Sequence, residues 1–217
     1  FERRQEQRLT LAAYEAIGGV AGAIAQRAEA LYAGLRPSAQ EASRQLFLRL
    51  VAPGKADGDN LMAADTRRRV MRSELTDLAG LAGDERSDQG GQVTVTDMAA
   101  IMDAYGAARL LTFDRDPQSR APTVEIAHEA LLQEWPRLKE WVTVSRVDLQ
   151  QQQRLAAAAG DWLGAEKDPG FLLQGVRLKQ FAAWSESTDL AAGPSEAEFL
   201  EASLLAERRR QADEAAR

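Results

Sequence analysis

The chain has no cysteine and a single histidine, His128, so it has no disulfide framework, no thiolate metal site and no cysteine nucleophile. No apolar run approaches the ~18 residues that span a bilayer, and the charged opening Phe-Glu-Arg-Arg is no secretory signal. The phosphate-cradling pattern Gly-x-x-x-x-Gly-Lys-Ser/Thr, the Gly-x-Ser-x-Gly elbow and the His-Glu-x-x-His zinc motif are missing as well. These absences leave conventional metal and hydrolase chemistry almost nothing to work with. The expectation is a cytoplasmic segment that does not span a membrane and is not itself an enzyme. What is present suffices for a core: 217 residues, 45% of them hydrophobic. The 27 basic side chains against 33 acidic ones leave a net charge of −6, which weighs against nucleic acid or an anionic membrane as the main partner. Both ends run in charged helical patterns and read as continuing into something longer.

Apolar spacing predicts a mainly α chain in three parts. Residues 1–36 read as the end of a helical domain: a short helix over 8–17, a break at Gly18-Gly19, then a helix with Val20, Ala23, Ile24, Ala28, Leu31, Tyr32 and Leu35 on one face. Residues 37–135 begin with a capping box at Ser38 and Glu41 and a helix burying Ala42, Leu46, Phe47, Leu50 and Val51. A polar loop, a strand within 67–75 and a helix presenting Val95, Met98, Ile101, Met102 and Tyr105 follow, with Thr94 or Thr96 as its cap. Leu110–Phe113 and Thr123–Ile126 form a β-hairpin with a long loop. Helix, strand, helix, hairpin is the order of a winged helix with a small hairpin wing. Residues 136–217 read as a second helical domain, entered at a Pro136 that either kinks a helix or starts one. Its last helix opens with a box at Ser195 and Glu198 and turns wholly polar beyond Leu204.

A winged helix raises DNA binding, but the candidate recognition helix carries Asp97 and Asp103 against Arg109 alone. The one basic cluster, Arg67, Arg68, Arg69 and Arg72, reads first as a solvated face or as the mate of an acidic surface. The paired acids Asp57/Asp59 and Asp114/Asp116 sit in turn-rich loops, where hydrophilic residues are ordinary. His128 stands where the second hairpin strand meets a helix, on the face of Val124 and Ile126. Two roles are open to it: a structural histidine bonded between strand and helix, or a donor to a phosphate supplied from elsewhere.

The stretch Glu125-Ile-Ala-His-Glu-Ala-Leu-Leu132, with Ala108-Arg-Leu-Leu-Thr112 before it and Trp135-Pro-Arg-Leu138 after it, resembles the region following the nucleotide-binding domain in bacterial STAND-type NTPases. It is most similar to the novel STAND NTPase 1 branch, commonly found ahead of WD40 repeats. The resemblance extends upstream through Tyr14 and Gly18–Ile24, and downstream through 157–162, 173–178 and 198–203. In such proteins a Met-His-Asp-like tripeptide of the winged helix touches the β-phosphate of ADP and holds the molecule closed. Ala127-His128-Glu129 stands at that place, with Ala in the first position. The resemblance thus implies His128 and Glu129 as nucleotide-sensing residues. It implies Gly18 and Gly19 near the adenine, in place of a Gly-Leu-Pro turn whose proline is lacking. It further implies ADP or ATP with magnesium in the parent protein and none bound by this segment alone. The implied partners are an upstream nucleotide-binding domain, downstream sensor repeats and homo-oligomers formed on activation. The competing functions are a winged-helix DNA-binding regulator and a purely structural interdomain scaffold.

Overall fold

The computed structural model describes residues 19–54, 64–78 and 94–216, which are mainly helical with small antiparallel sheets. The chain divides into two compact units, Phe1–Val144 and Ser145–Arg217. The boundaries expected at 36/37 and 135/136 both fall inside the first unit. The helix expected over 8–17, Gly18, most of the polar loop and the acid pair Asp57/Asp59 lie outside the described residues.

In the first unit, α1 (Gly19–Ala33) opens on Gly19 at φ 68°, a left-handed backbone that only glycine adopts cheaply. Its buried residues are Ala25 and Ala28, whereas Val20, expected on the inner stripe, is 64% exposed. Helix α2 (Pro37–Arg49) begins with the proline, whose fixed φ and missing N–H suit a first helical position. The box expected at Ser38 does not form: Arg36 is the N-cap, Ser38 is already helical, and Glu41 accepts from the side chains of Arg44 and Gln45 instead. The predicted apolar face, Ala42, Leu46 and Phe47 with Leu50 and Val51 beyond the helix, is fully buried.

The strand expected over 67–75 is divided between two sheets. Strand β1 (Val51–Ala52) pairs antiparallel with β2 (Thr66–Arg67), placing Arg67 opposite Val51. The backbone N–H of Arg68 then donates to Leu50, and β3 (Val70–Met71) joins a different sheet. Ser73 and Leu75 fall in α3 (Arg72–Thr76). Leu75 and Leu78, three residues apart, both reach the core, which a strand would not allow.

Helix α4 (Val95–Ala107) is capped by Thr94, whose hydroxyl accepts the Asp97 N–H at 3.1 Å while the Asp97 carboxylate accepts the Thr94 N–H at 2.9 Å. Met98, Ile101, Met102 and Tyr105 are buried as predicted; Val95, in the first turn, is exposed. The hairpin forms as expected from β4 (Leu111–Arg115) and β5 (Pro122–Ile126), with Leu111 opposite Ile126. Asp116 organises its loop by accepting the N–H groups of Gln118 and Ser119, and these bonds hold its carboxyl below the usual carboxylate range. Strand β3 adds to the other edge of β5, with Val70 opposite Val124, so the sheet order is β3-β5-β4. A Cβ on Gly106 would stand 2.4 Å from the Phe113 ring; glycine is what lets that ring lie against α4.

Helices α5 (Ala130–Glu134) and α6 (Pro136–Val144) are separate. Proline disfavours helical backbone in the residue before it, so Trp135 is extended, at φ −90° and ψ 103°, and Pro136 starts a second helix rather than kinking the first. This turn drives the Trp135 indole into the core. There it meets Phe47 edge-on at 5.0 Å, Trp141 at 5.5 Å and Tyr32 at 6.4 Å between ring centroids.

The second unit contains α7 (Arg146–Gly164), α8 (Gly175–Ser187) and α9 (Pro194–Ala215) around Leu155, Trp162, Leu178, Phe181 and Phe199. The box expected at Ser195 and Glu198 is displaced: Glu196 accepts the Gly193 N–H at 2.6 Å, and Glu198 pairs with Lys167. Val176 is exposed, and the interior position on α8 belongs to Leu178. Beyond Ser203, α9 has no buried residue, as its polar sequence requires.

Candidate functional site

Strand β5 ends at Ile126, and the Ala127 N–H, still bonded to the Leu110 carbonyl at 2.9 Å, holds the next residue to the hairpin. The chain then turns. The carbonyls of His128 and Glu129 accept from Leu131 and Leu132 at 3.0 and 2.9 Å, so both residues lie in the turn that leads into α5. The buried face of Val124 and Ile126 therefore stops one residue short of this turn, and the side chains of His128 and Glu129 are exposed. Among the described residues the imidazole makes no hydrogen bond, so the strand-to-helix bond of a structural histidine is not formed. Helix α5 spans only five residues, and its contribution to the local potential is slight.

The positive charge at this turn comes from another strand. Arg67 donates from Nη1 to the carbonyl of Ile126 at 3.0 Å and to that of Ala127 at 3.2 Å. Its place is set by the β1–β2 pairing, which ties Arg67 to the end of α2. The other arginines of the cluster are neutralised within the chain. Arg68 is 3.6 Å from Glu74, Arg69 is 3.3 Å from Glu125 and 3.6 Å from Asp114, and Arg72 is 3.4 Å from Asp103. In the sequence the four read as one patch; strand register separates them, and register is not readable from Arg67-Arg68-Arg69, three like residues in a row.

Gly19 opens α1, the helix that packs on α5, and no hydrogen bond joins it to His128 or Glu129 among the described residues. Near its other end α1 is fastened by Glu29, a residue that carried no sequence signal. Its carboxylate accepts the Trp135 indole N–H at 2.8 Å and two donors of Arg137 at 2.5 and 2.9 Å. The Arg137 guanidinium also lies 4.4 Å from the centre of the Tyr32 ring. The Arg137 bonds, the largest influence, hold the Glu29 carboxyl below its ordinary value of 4.5, with the indole N–H adding to them and burial opposing. A lowered carboxyl pKa contributes stability above the ordinary value that is lost as pH falls through the folded one. Because Glu29 and Arg137 are 40% and 38% exposed, solvent screening limits this to about 1 kcal/mol. Glu29→Gln is thus expected to cost stability in urea unfolding at about pH 7 and to cost less at about pH 3.

No cluster of three or more His, Asp or Glu side chains that could hold a metal occurs among the described residues. The second unit has an open cleft of about 410 Å³ with Asp161, Phe171 and Arg177 in its lining, but no convergent set of titratable groups.

The profile of the family described as Novel STAND NTPase 1 matches residues 1–170. The chain belongs to the novel STAND NTPase 1 family. No curated protein and no solved structure matches it. The STAND match takes in the whole first unit and α7, and hence Arg67, His128 and Glu129. The segments 173–178 and 198–203, which resemble the same family, lie beyond the matched residues.

Proposed function

We propose that this STAND family member is a regulatory arm that senses nucleotide state through His128. The nucleotide, ADP or ATP with magnesium, would be held by an upstream nucleotide-binding domain, since the chain has no P-loop. Hydrolysis would belong to that domain, and this segment would supply no catalytic residue. The observation that carries the reading is the exposed, unbonded imidazole at a turn whose preceding carbonyls are pinned by Arg67. An open N–H donor on a fixed backbone fits a phosphate oxygen. Glu129 keeps the acidic place beside it, and its ionised side chain offers a phosphate no donor. Gly19, at the head of the helix packed on α5, would stand toward the adenine.

The order helix, strand, helices, hairpin, with β3 added to the second hairpin strand, supports reading residues 37–135 as a winged helix. The internal partners of Arg68, Arg69 and Arg72 leave little charge for a DNA backbone, which disfavours the transcription-regulator alternative. With ADP bound, the His128 contact would favour a closed arrangement. ATP exchange and a ligand on downstream sensor repeats, WD40 repeats by resemblance, would release it and permit homo-oligomers in the bacterial cytoplasm. A ligand shifts such an equilibrium only through its differential affinity for the two states.

In the intact protein, His128→Ala is expected to speed ADP release roughly ten- to a hundredfold, the equivalent of ~1.5–3 kcal/mol for one charge-assisted hydrogen bond. Displacement of a fluorescent ADP in stopped flow measures this. Because the ring bonds to nothing described within the chain, the melting temperature should not move. Unchanged release with lowered thermal stability would favour the scaffold instead.

A further inference from the structure

An imidazole is a lone donor for a multiply charged phosphate, and the chain places the carboxylate of Glu129, which repels phosphate, next to it. A cation close to this turn would offset that repulsion. Resting on the nucleotide-sensing reading of His128, we propose that Arg67 is the second phosphate-binding residue of the same site, positioning the His128 turn and supplying its positive charge.

Three observations support this. First, Nη1 of Arg67 reaches the carbonyls of Ile126 and Ala127, the latter belonging to the peptide bond that leads into His128, so the guanidinium sits within a few ångströms of that backbone. Secondly, Arg67 is exposed, and its Nε and Nη2 make no hydrogen bond among the described residues, which leaves part of its planar fork open. Carbonyls fix a guanidinium without neutralising it, whereas carboxylates do both. Thirdly, Arg68, Arg69 and Arg72 are each within 3.6 Å of a carboxylate and Arg67 is paired with none among the described residues. Within this cluster the uncompensated charge is confined to the member that touches the His128 turn. A planar fork of this kind suits the terminal phosphate of a nucleoside diphosphate, bonding one oxygen while the imidazole bonds another.

The test compares ADP release from the intact protein for wild type, His128→Ala, Arg67→Gln and Arg67→Lys, with melting temperatures for each. The inference expects Arg67→Gln to release ADP at least tenfold faster at unchanged melting temperature. Arg67→Lys, which keeps charge but not the fork, should fall between Arg67→Gln and wild type. If His128→Ala is fast while Arg67→Gln matches wild type, Arg67 plays no part and the reading of His128 stands. If neither variant changes release, the nucleotide-sensing reading fails and this inference with it. Should Arg67→Gln lower the melting temperature, Arg67→Lys decides, and release from it no faster than wild type overturns the inference. Inorganic pyrophosphate, competing with fluorescent ADP on the intact protein, gives an independent arm. It should displace ADP from the wild type, and at least tenfold more should be needed in Arg67→Gln. Equal competition in both would count against Arg67.

Discussion

Trp135→Ala is expected to destabilise the first unit by about 3–5 kcal/mol, the range for removing a large aromatic side chain from a packed core. Trp135 has no exposed surface and touches rings from three different parts of the unit: Tyr32 of α1, Phe47 of α2 and Trp141 of α6. Its deletion removes these contacts together and takes one donor from Glu29. Urea unfolding followed by far-UV circular dichroism measures the loss. Trp135→Phe, which keeps a ring and loses the N–H, should cost roughly 1–2 kcal/mol. A loss below about 1 kcal/mol for Trp135→Ala would mean that the aromatic cluster does not organise this unit.

The next largest effect is expected at Glu74→Gln. The Arg49 side chain is only 2% exposed and its Nε lies 2.7 Å from the Glu74 carboxylate. Neutralising Glu74 takes one carboxylate away from this buried guanidinium, and breaking a buried pair from one side costs roughly 3 kcal/mol or more. Replacing Arg49 and Glu74 together, as Arg49→Met with Glu74→Leu, should cost less than the sum of the single variants, because the buried guanidinium leaves with this carboxylate. Denaturant midpoints of the two single variants and the double variant decide it. A double variant as unstable as the sum of its parts would show that Arg49 and Glu74 act independently.

Much of the element pattern could be read directly. The buried face of α2, the stripe Met98 to Tyr105 and the hairpin all follow periodicity, because one face of each must leave water. The misreadings were local. Ser38 and Ser195 looked like caps, but in each case a proline stands immediately before the serine and takes the first helical position, so the cap moves back to Arg36 or Gly193. Val20 continued an apolar pattern but lies near the start of its helix, where it is not covered. The stretch 67–75 mixed a two-residue strand, a change of sheet and one helical turn, each too short to impose a period.

The candidate site divides in the same way. His128 and Glu129 could be singled out because they lie in a contiguous motif at a strand-to-helix junction, and local order along the chain sets such a junction. Arg67 and Glu29 could not, since Arg67 meets Ala127 across 60 positions and Glu29 meets Trp135 across 106. Composition by itself determined that the chain has no thiol chemistry, a net negative charge and one imidazole to test. Tertiary structure alone decided that this imidazole is exposed and that Arg67, of four similar arginines, is the one that meets no carboxylate among the described residues. The physical reason is that pattern reports which residues leave water, whereas the pairing of charges depends on strand register and on turns that bring distant backbone together.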